Sequence, residues 1–363
     1  MKTIKHLFFC LSFILFTNTY SQDILPVKGL CIAAPHRDHV NEFVRFIDNE
    51  LGPGGINTLI LRIDFNYAYK SRPELRGDNP LTQTDIRKLV DVCKKHQINL
   101  IPQINLLGHQ SWAEKTNKLL EVYPEFDETP NIKVPKTYEW PNADGLYCKS
   151  YCPLHPEVHK VVFALVDEII EAFEASSFHA GMDEVFYLAH PDCKRCSGKD
   201  PAKLFADEVN KISNYLSHKN IRLWIWGDRL IDGKTTGIGM WEASMNNTAR
   251  AVDLIDTSVM ICDWHYEKAL PTATLFAMKG FDVLTCPWRN PEVTRKQVEM
   301  TYLLRENSNG IMKDHYQGIL QTIWSSAKNF MEEYYDKKSH RKKQGQAASF
   351  TSMISAIKKH EAK

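Results

Sequence analysis

The sequence has almost no surplus of charge: 45 lysines and arginines stand against 44 acidic residues, a formal net of +1 with histidine neutral. A chain so balanced carries no electrostatic footprint for nucleic acid or an anionic membrane surface. It also lacks a long hydrophobic run. The most apolar stretch, Leu7 to Phe16, falls well short of the ~20 residues that cross a bilayer, so no membrane insertion is expected. No glycine-rich phosphate loop follows the first apolar run, which removes the main mark of a doubly wound nucleotide-binding sheet. Repeats and low-complexity segments are missing too.

What is present begins with Lys2 and Lys5 ahead of that apolar run, then small residues at Thr19 and Ser21. This order predicts a signal peptide over residues 1–21, a mature chain starting near Gln22, and an exported protein, periplasmic or secreted. Without the two signal lysines the balance becomes 43 against 44, a net of about −1. Oligomeric state has no signature here.

Eight apolar, β-branched runs follow: Val27 to Ala34, Ile56 to Phe65, Ile98 to Leu107, Phe178 to Val185, Arg222 to Asp228, Val259 to Tyr266, Phe281 to Trp288 and Gly318 to Trp324. They read as buried strands. Helical patterns lie between them, among them Asp38 to Glu50, Thr84 to His96, Pro156 to Phe173 and Ala202 to His218. Strands alternating with helices predict an α/β fold, a single-domain (β/α)8 TIM barrel over 22–336. Residues 337–363 read as a basic C-terminal tail with a short helix around Ala347 to Lys358, its charges a solvated face.

In such a barrel the strand C-terminal ends and the loops after them form the active face. Arg37 falls after the first run and His109 after the third; the adjacent acids Asp183 and Glu184 fall at the end of the fourth, Trp226 and Asp228 of the fifth, Trp264 and Tyr266 of the sixth, Trp288 of the seventh and Trp324 of the eighth. Period-two spacing puts Trp224, Trp226 and Asp228 on one face, and Cys262, Trp264 and Tyr266 on another. Flat aromatic walls mixed with carboxylates, an arginine and a histidine suit a sugar ring, whose C–H faces stack while its hydroxyls take charged hydrogen bonds. The acid pair is awkward for ordinary glycosidases. Adjacent strand residues face opposite sides, whereas the usual schemes need two carboxyls about 5 Å or more apart across one bond.

The run His179-Ala-Gly-Met-Asp-Glu184 resembles the His-x-Gly-Gly-Asp-Glu signature of glycoside hydrolase family 20, the β-N-acetylhexosaminidases. Ile101-Pro-Gln-Ile-Asn-Leu-Leu-Gly-His109 is similar to that family's third-strand segment, and Trp226-Gly-Asp228 to its fifth-strand end. The resemblance implies exo-acting, substrate-assisted retaining hydrolysis of terminal β-linked N-acetylhexosamine in glycans, in which the sugar's own 2-acetamido oxygen is the nucleophile. It implies Glu184 as general acid and base, and Asp183 orienting the acetamido group. Tyr266 would donate to the acetamido carbonyl, and Trp226, Trp264, Trp288 and Trp324 would wall the subsite. Arg37 would bind hydroxyls, Asp228 either a hydroxyl or a structural partner, and His109 and His179 would support the acids. No cofactor is implied for catalysis, and the chain would be a barrel-only member.

Departures from the family pattern are Met182 for the second glycine, Gln103 and Asn105 for third-strand acids, and Ser325-Ser326 where the family places an acid. Two alternatives stay open: a carbohydrate-binding barrel without catalysis, and a metal-dependent hydrolase using His179, Asp183 and His109. Among the cysteines, Cys148 and Cys152 lie in one loop and Cys193-x-x-Cys196 in the next. Paired spacings of this kind make either disulfides, the expectation for an exported chain, or a four-thiolate structural zinc site.

Overall fold

The computed structural model describes residues 24–139 and 148–362; the expected signal segment lies outside them. Eight parallel strands close into a barrel. They are β1 (Val27–Ala33), β2 (Thr58–Arg62), β3 (Asn99–Leu106), β4 (Ser177–Gly181), β5 (Arg222–Trp226), β6 (Met260–Trp264), β7 (Val283–Cys286) and β8 (Tyr316–Thr322), with β8 pairing back onto β1 through Val27 opposite Gly318. Six of the eight predicted runs contain their strand whole; β4 starts one residue before its run, at Ser177, and β8 two residues before, at Tyr316. The observed strands stop one to four residues earlier at their C-terminal ends, because there the backbone leaves the ladder to build the active face.

Alternation along each strand separates two apolar cores. One face packs outward on the helices. The other fills the lumen with Cys31, Ile60, Ile101, Trp224, Trp226, Met260, Cys262, Trp264, Leu284 and Leu320, and Trp241, Tyr266 and Trp324 cap that cluster. The shared faces predicted for Trp224 with Trp226, and for Cys262 with Trp264, are therefore lumen faces.

The helices owe their positions to apolar stripes at helical spacing. In α1 (Gln83–Lys95), Ile86, Leu89, Val90 and Cys93 are buried, and a capping box between Thr82 and Asp85 starts the helix. The predicted Pro156 to Phe173 helix begins at Val158, two residues late. The predicted Asp38 to Glu50 helix is broken into a 3-10 turn at Arg37–His39, an α segment Val40–Phe46 and a π turn Ile47–Leu51 ahead of Gly52-Pro53-Gly54.

The C-terminus differs from a solvated tail. Lys337, Lys338 and Arg341 to Lys343 are exposed, but α2 (Gln346–Glu361) buries Ala347, Phe350, Met353 and Ile357. Phe350 packs edge-on to Phe330 at 5.8 Å between ring centres, and Glu361 pairs with Lys28 at 3.1 Å. The first residue of α2 also serves the active face. Gln346 Oε1 accepts from Trp288 Nε1 at 3.0 Å and from the Trp324 amide at 2.7 Å, so the last helix orients two of the aromatic walls.

Candidate active site

The adjacent acids work together because the chain stops being a strand just before them. Gly181 has φ +69, Met182 φ +72 and Glu184 φ +49. A Cβ on Gly181 would stand 2.5 Å from Asn105 Oδ1, so the close approach of β3 and β4 admits only glycine there. Met182 holds a left-handed conformation that ordinarily costs about 1 kcal/mol or more in a residue with a side chain. Its side chain is buried in the outer core, which offsets the strain and keeps the turn that the family signature builds with glycine.

Across that turn Asp183 and Glu184 converge on one imidazole. His109 Nε2 lies 3.0 Å from Asp183 Oδ2 and 3.4 Å from Glu184 Oε2. Gly108 makes the approach possible, since a Cβ there would stand 2.5 Å from the Asp183 carbonyl. Burial disfavours the charged ring, but the Asp183 charge and hydrogen bond raise His109 well above the ordinary imidazole range. Burial likewise works to raise Asp183, and His109 outweighs it, leaving the carboxyl below its usual range. The pair is therefore carboxylate and imidazolium at neutral pH. Asp183 Oδ1 is buried and has no hydrogen-bond donor among the described residues.

The Glu184 backbone amide donates to Asp228 Oδ2 at 3.0 Å. Asp228 also accepts from Arg229 Nε at 2.6 Å and Trp264 Nε1 at 3.2 Å. Its side chain is 0% exposed, so of the two roles weighed for it the structure supports the structural one. Arg229 extends the brace to the carbonyls of Met240, Trp241 and Ala243.

His179 is fully buried, its Nδ1 accepting from the Gly181 amide at 3.0 Å and its ring 4.5 Å from that of Trp226. Burial depresses it to about 3, so it is neutral. The rings expected as walls come together, but Trp226 and Trp264 are buried in the lumen, and Tyr266, Trp288 and Trp324 are the half-buried ones. Trp226 and Trp324 are 6.0 Å apart, Trp264 and Tyr266 4.8 Å, and Tyr266 and Trp288 5.2 Å. Tyr266 Oη accepts from Trp324 Nε1 at 2.8 Å.

Arg37 is not part of this site. Its side chain, 47% exposed, pairs with Asp85 in the first turn of α1 at 3.3 Å. The arginine that reaches the aromatic rings of the site is Arg62, the last residue of β2. Its guanidinium lies 4.4 Å over the Trp324 ring and donates to the Ile323 carbonyl at 2.9 Å, while Nε is buried without a partner. Two-residue spacing from the lumen residue Ile60 was the available signal. Trp241, half-buried against the lumen cluster and edge-on to Phe186 at 5.1 Å, was also missed. So was Trp112, an exposed ring stacked on His109 at 5.9 Å.

The four loop cysteines do not form one group. Cys148 Sγ lies 3.5 Å from both His109 Nδ1 and Glu184 Oε2, inside the site. Cys152, Cys193 and Cys196 meet elsewhere, around Glu128. No disulfide joins cysteines among the described residues. His179, His109 and Asp183, the ligands of the metal-hydrolase alternative, are not brought together as a ligand set among the described residues.

Behind Tyr266, His265 is held between Glu242 (Nδ1 to Oε2, 2.7 Å) and Asp263 (Nε2 to Oδ1, 3.2 Å). Burial opposes its charge, yet the two carboxylates raise it to about 10. An unfolded histidine releases its proton near pH 6.5, so the stabilisation is full below that and is lost as pH rises toward 10. Melting temperature measured against pH should fall across this window, and His265→Asn should flatten the fall.

Glycosyl hydrolase family 20, catalytic domain, is the family whose model matches, over residues 65–353. The matched span runs past residue 336 into α2. A lacto-N-biosidase of Bifidobacterium bifidum is 26% identical over 169 residues, 43% of this chain and 14% of that protein. A β-hexosaminidase of Vibrio furnissii is 23% identical over 211 residues, 57% of this chain and 30% of that protein. The alignments thus span less than a third of the length of either relative. A Flavobacterium johnsoniae chitobiase shares the fold with a TM-score of 0.63 at 15% identity, over 93% of this chain and 51% of that one.

Proposed function

The chain belongs to glycosyl hydrolase family 20, and from that premise we propose that it removes terminal β-linked N-acetylhexosamine from glycans, the substrate's 2-acetamido oxygen serving as nucleophile. One observation carries the reading. Asp183 presents a buried, unpartnered Oδ1 while His109 holds its other oxygen, and the half-buried Glu184 stands beside the same imidazole. A carboxylate with one oxygen fixed and the other without a donor among the described residues is suited to accept the acetamido N–H, orient the group, and stabilise positive charge on it. Glu184 then protonates the leaving oxygen and afterwards activates water. No second carboxylate need cross the sugar, which is why adjacent acids suffice.

The protein groups supply the rest. Tyr266 turns its hydroxyl to the acetamido carbonyl, and the half-buried Trp288 and Trp324 stack on the ring and shed water, backed by Trp226 and Trp264, which are buried in the lumen. Arg62 replaces Arg37 as the charged donor to sugar hydroxyls. Arg62→Ala is expected to raise KM about ten- to a hundredfold, matching the ~1.5–3 kcal/mol of a charge-assisted hydrogen bond. Arg37→Ala should leave KM unchanged, and steady-state kinetics on an aryl N-acetylglucosaminide check both. Serines at the position of the family's acid make no carboxylate contact to outer hydroxyls. Ser326 Oγ instead caps the Ala327–Tyr335 helix by accepting the Asn329 amide at 3.2 Å.

A thiazoline mimic of the cyclised intermediate tests the reading directly. Competitive inhibition at least a hundredfold tighter than substrate binding is expected, as for other transition-state-like ligands. Binding no tighter than free N-acetylglucosamine would remove the substrate-assisted route.

A further inference from the structure

Three thiols and a carboxylate converge behind the active face. Cys152 Sγ lies 3.4 Å from Cys193 Sγ and 3.4 Å from Cys196 Sγ. Glu128 completes the group: all four residues are buried, and one ligand atom from each falls within 4.8 Å of the others. A tetrahedral zinc with Zn–S bonds of ~2.3 Å has sulfur–sulfur edges of about 3.8 Å, close to this spacing. A disulfide joins only two sulfurs, and would leave a third thiol beside a buried acid.

Glu128 is the most telling member. It is 0% exposed. Its Oε1 accepts the His190 amide at 3.2 Å, Oε2 has no hydrogen-bond partner among the described residues, and a carboxylate oxygen of Glu128 lies within 4.8 Å of the three sulfurs. A buried carboxylate without a cation costs several kcal/mol, so the position calls for positive charge.

We propose that Cys152, Cys193, Cys196 and Glu128 bind one structural zinc ion. The metal joins the loop after β3 to the loop after β4. The Cys152 amide donates to the Phe126 carbonyl at 2.6 Å, the Glu128 amide to Ser150 at 3.0 Å, and the Tyr151 amide to Leu107 at 3.0 Å. Through these bonds the zinc stiffens the segment that carries Cys148 and borders His109. The site is independent of the hydrolytic reading and takes no part in the chemistry.

The test is elemental analysis of the full chain purified without chelators, with zinc release followed by a chromogenic zinc indicator during titration of the native protein with a mercurial thiol reagent. One zinc per chain, released as the thiols are blocked, is the expected result. Cys193→Ser with Cys196→Ser should abolish zinc, Glu128→Gln should speed its release by tenfold or more, and Cys148→Ser should retain it. The native-protein titration keeps the test valid if a variant fails to fold. Background zinc with an intact mass lower by two hydrogens would overturn the proposal in favour of a disulfide, and so would zinc retained by the double serine variant.

Discussion

Glu184→Gln is expected to lower kcat on a p-nitrophenyl N-acetylglucosaminide by about 10²- to 10⁴-fold, the range a positioned general acid and base supplies. The substitution removes the proton donor while keeping side-chain volume. The backbone is held independently, by the Glu184 amide on Asp228 and by the left-handed turn from Gly181, so the loss should not come from misfolding. Leaving-group dependence separates the acid from the base. A dinitrophenyl leaving group departs with little protonation, so the first step should be partly rescued with it, while the water-activating step stays impaired. An equal loss with both leaving groups would place Glu184 in the base role alone.

Asp183→Asn should cost about 10²- to 10³-fold in kcat, the size of one preorganised electrostatic contact to developing charge. Two consequences follow from the geometry. Asparagine can still accept from an acetamido N–H, but no longer offsets the positive charge of the cyclising intermediate. It also takes from His109 the carboxylate 3.0 Å away that keeps the ring charged. The variant's pH profile should therefore gain a titration nearer the ordinary imidazole value, because the His109 pKa falls once its partner is neutral. A profile unchanged from wild type would mean that His109 does not answer to Asp183.

The barrel was legible because each strand is a compact apolar, β-branched run, and burial on both faces demands that composition. The acid pair and His109 were legible because they sit in contiguous motifs at strand ends. Legibility failed where a role depends on direction or distant partners. Arg37 and Arg62 both stand near strand ends, and only period-two parity with Ile60 separates the one pointing into the lumen from the one pairing with Asp85. Cysteine spacing grouped Cys148 with Cys152, yet the turn between them sends one sulfur to Glu184 and the other to Glu128. Glu128 has no local motif at all. Gln346 is likewise silent in sequence, since its service to Trp288 and Trp324 exists only once the last helix closes on the barrel.

The central claim is that the substrate's acetamido group does the work of a second carboxylate. Turnover of paired aryl glycosides that differ only in the 2-substituent, acetamido against hydroxyl, tests it most directly. The account predicts hydrolysis of the acetamido sugar and a kcat/KM at least 10³-fold lower for the 2-hydroxyl sugar, which lacks the nucleophile held by Asp183. Comparable turnover of both sugars would contradict it.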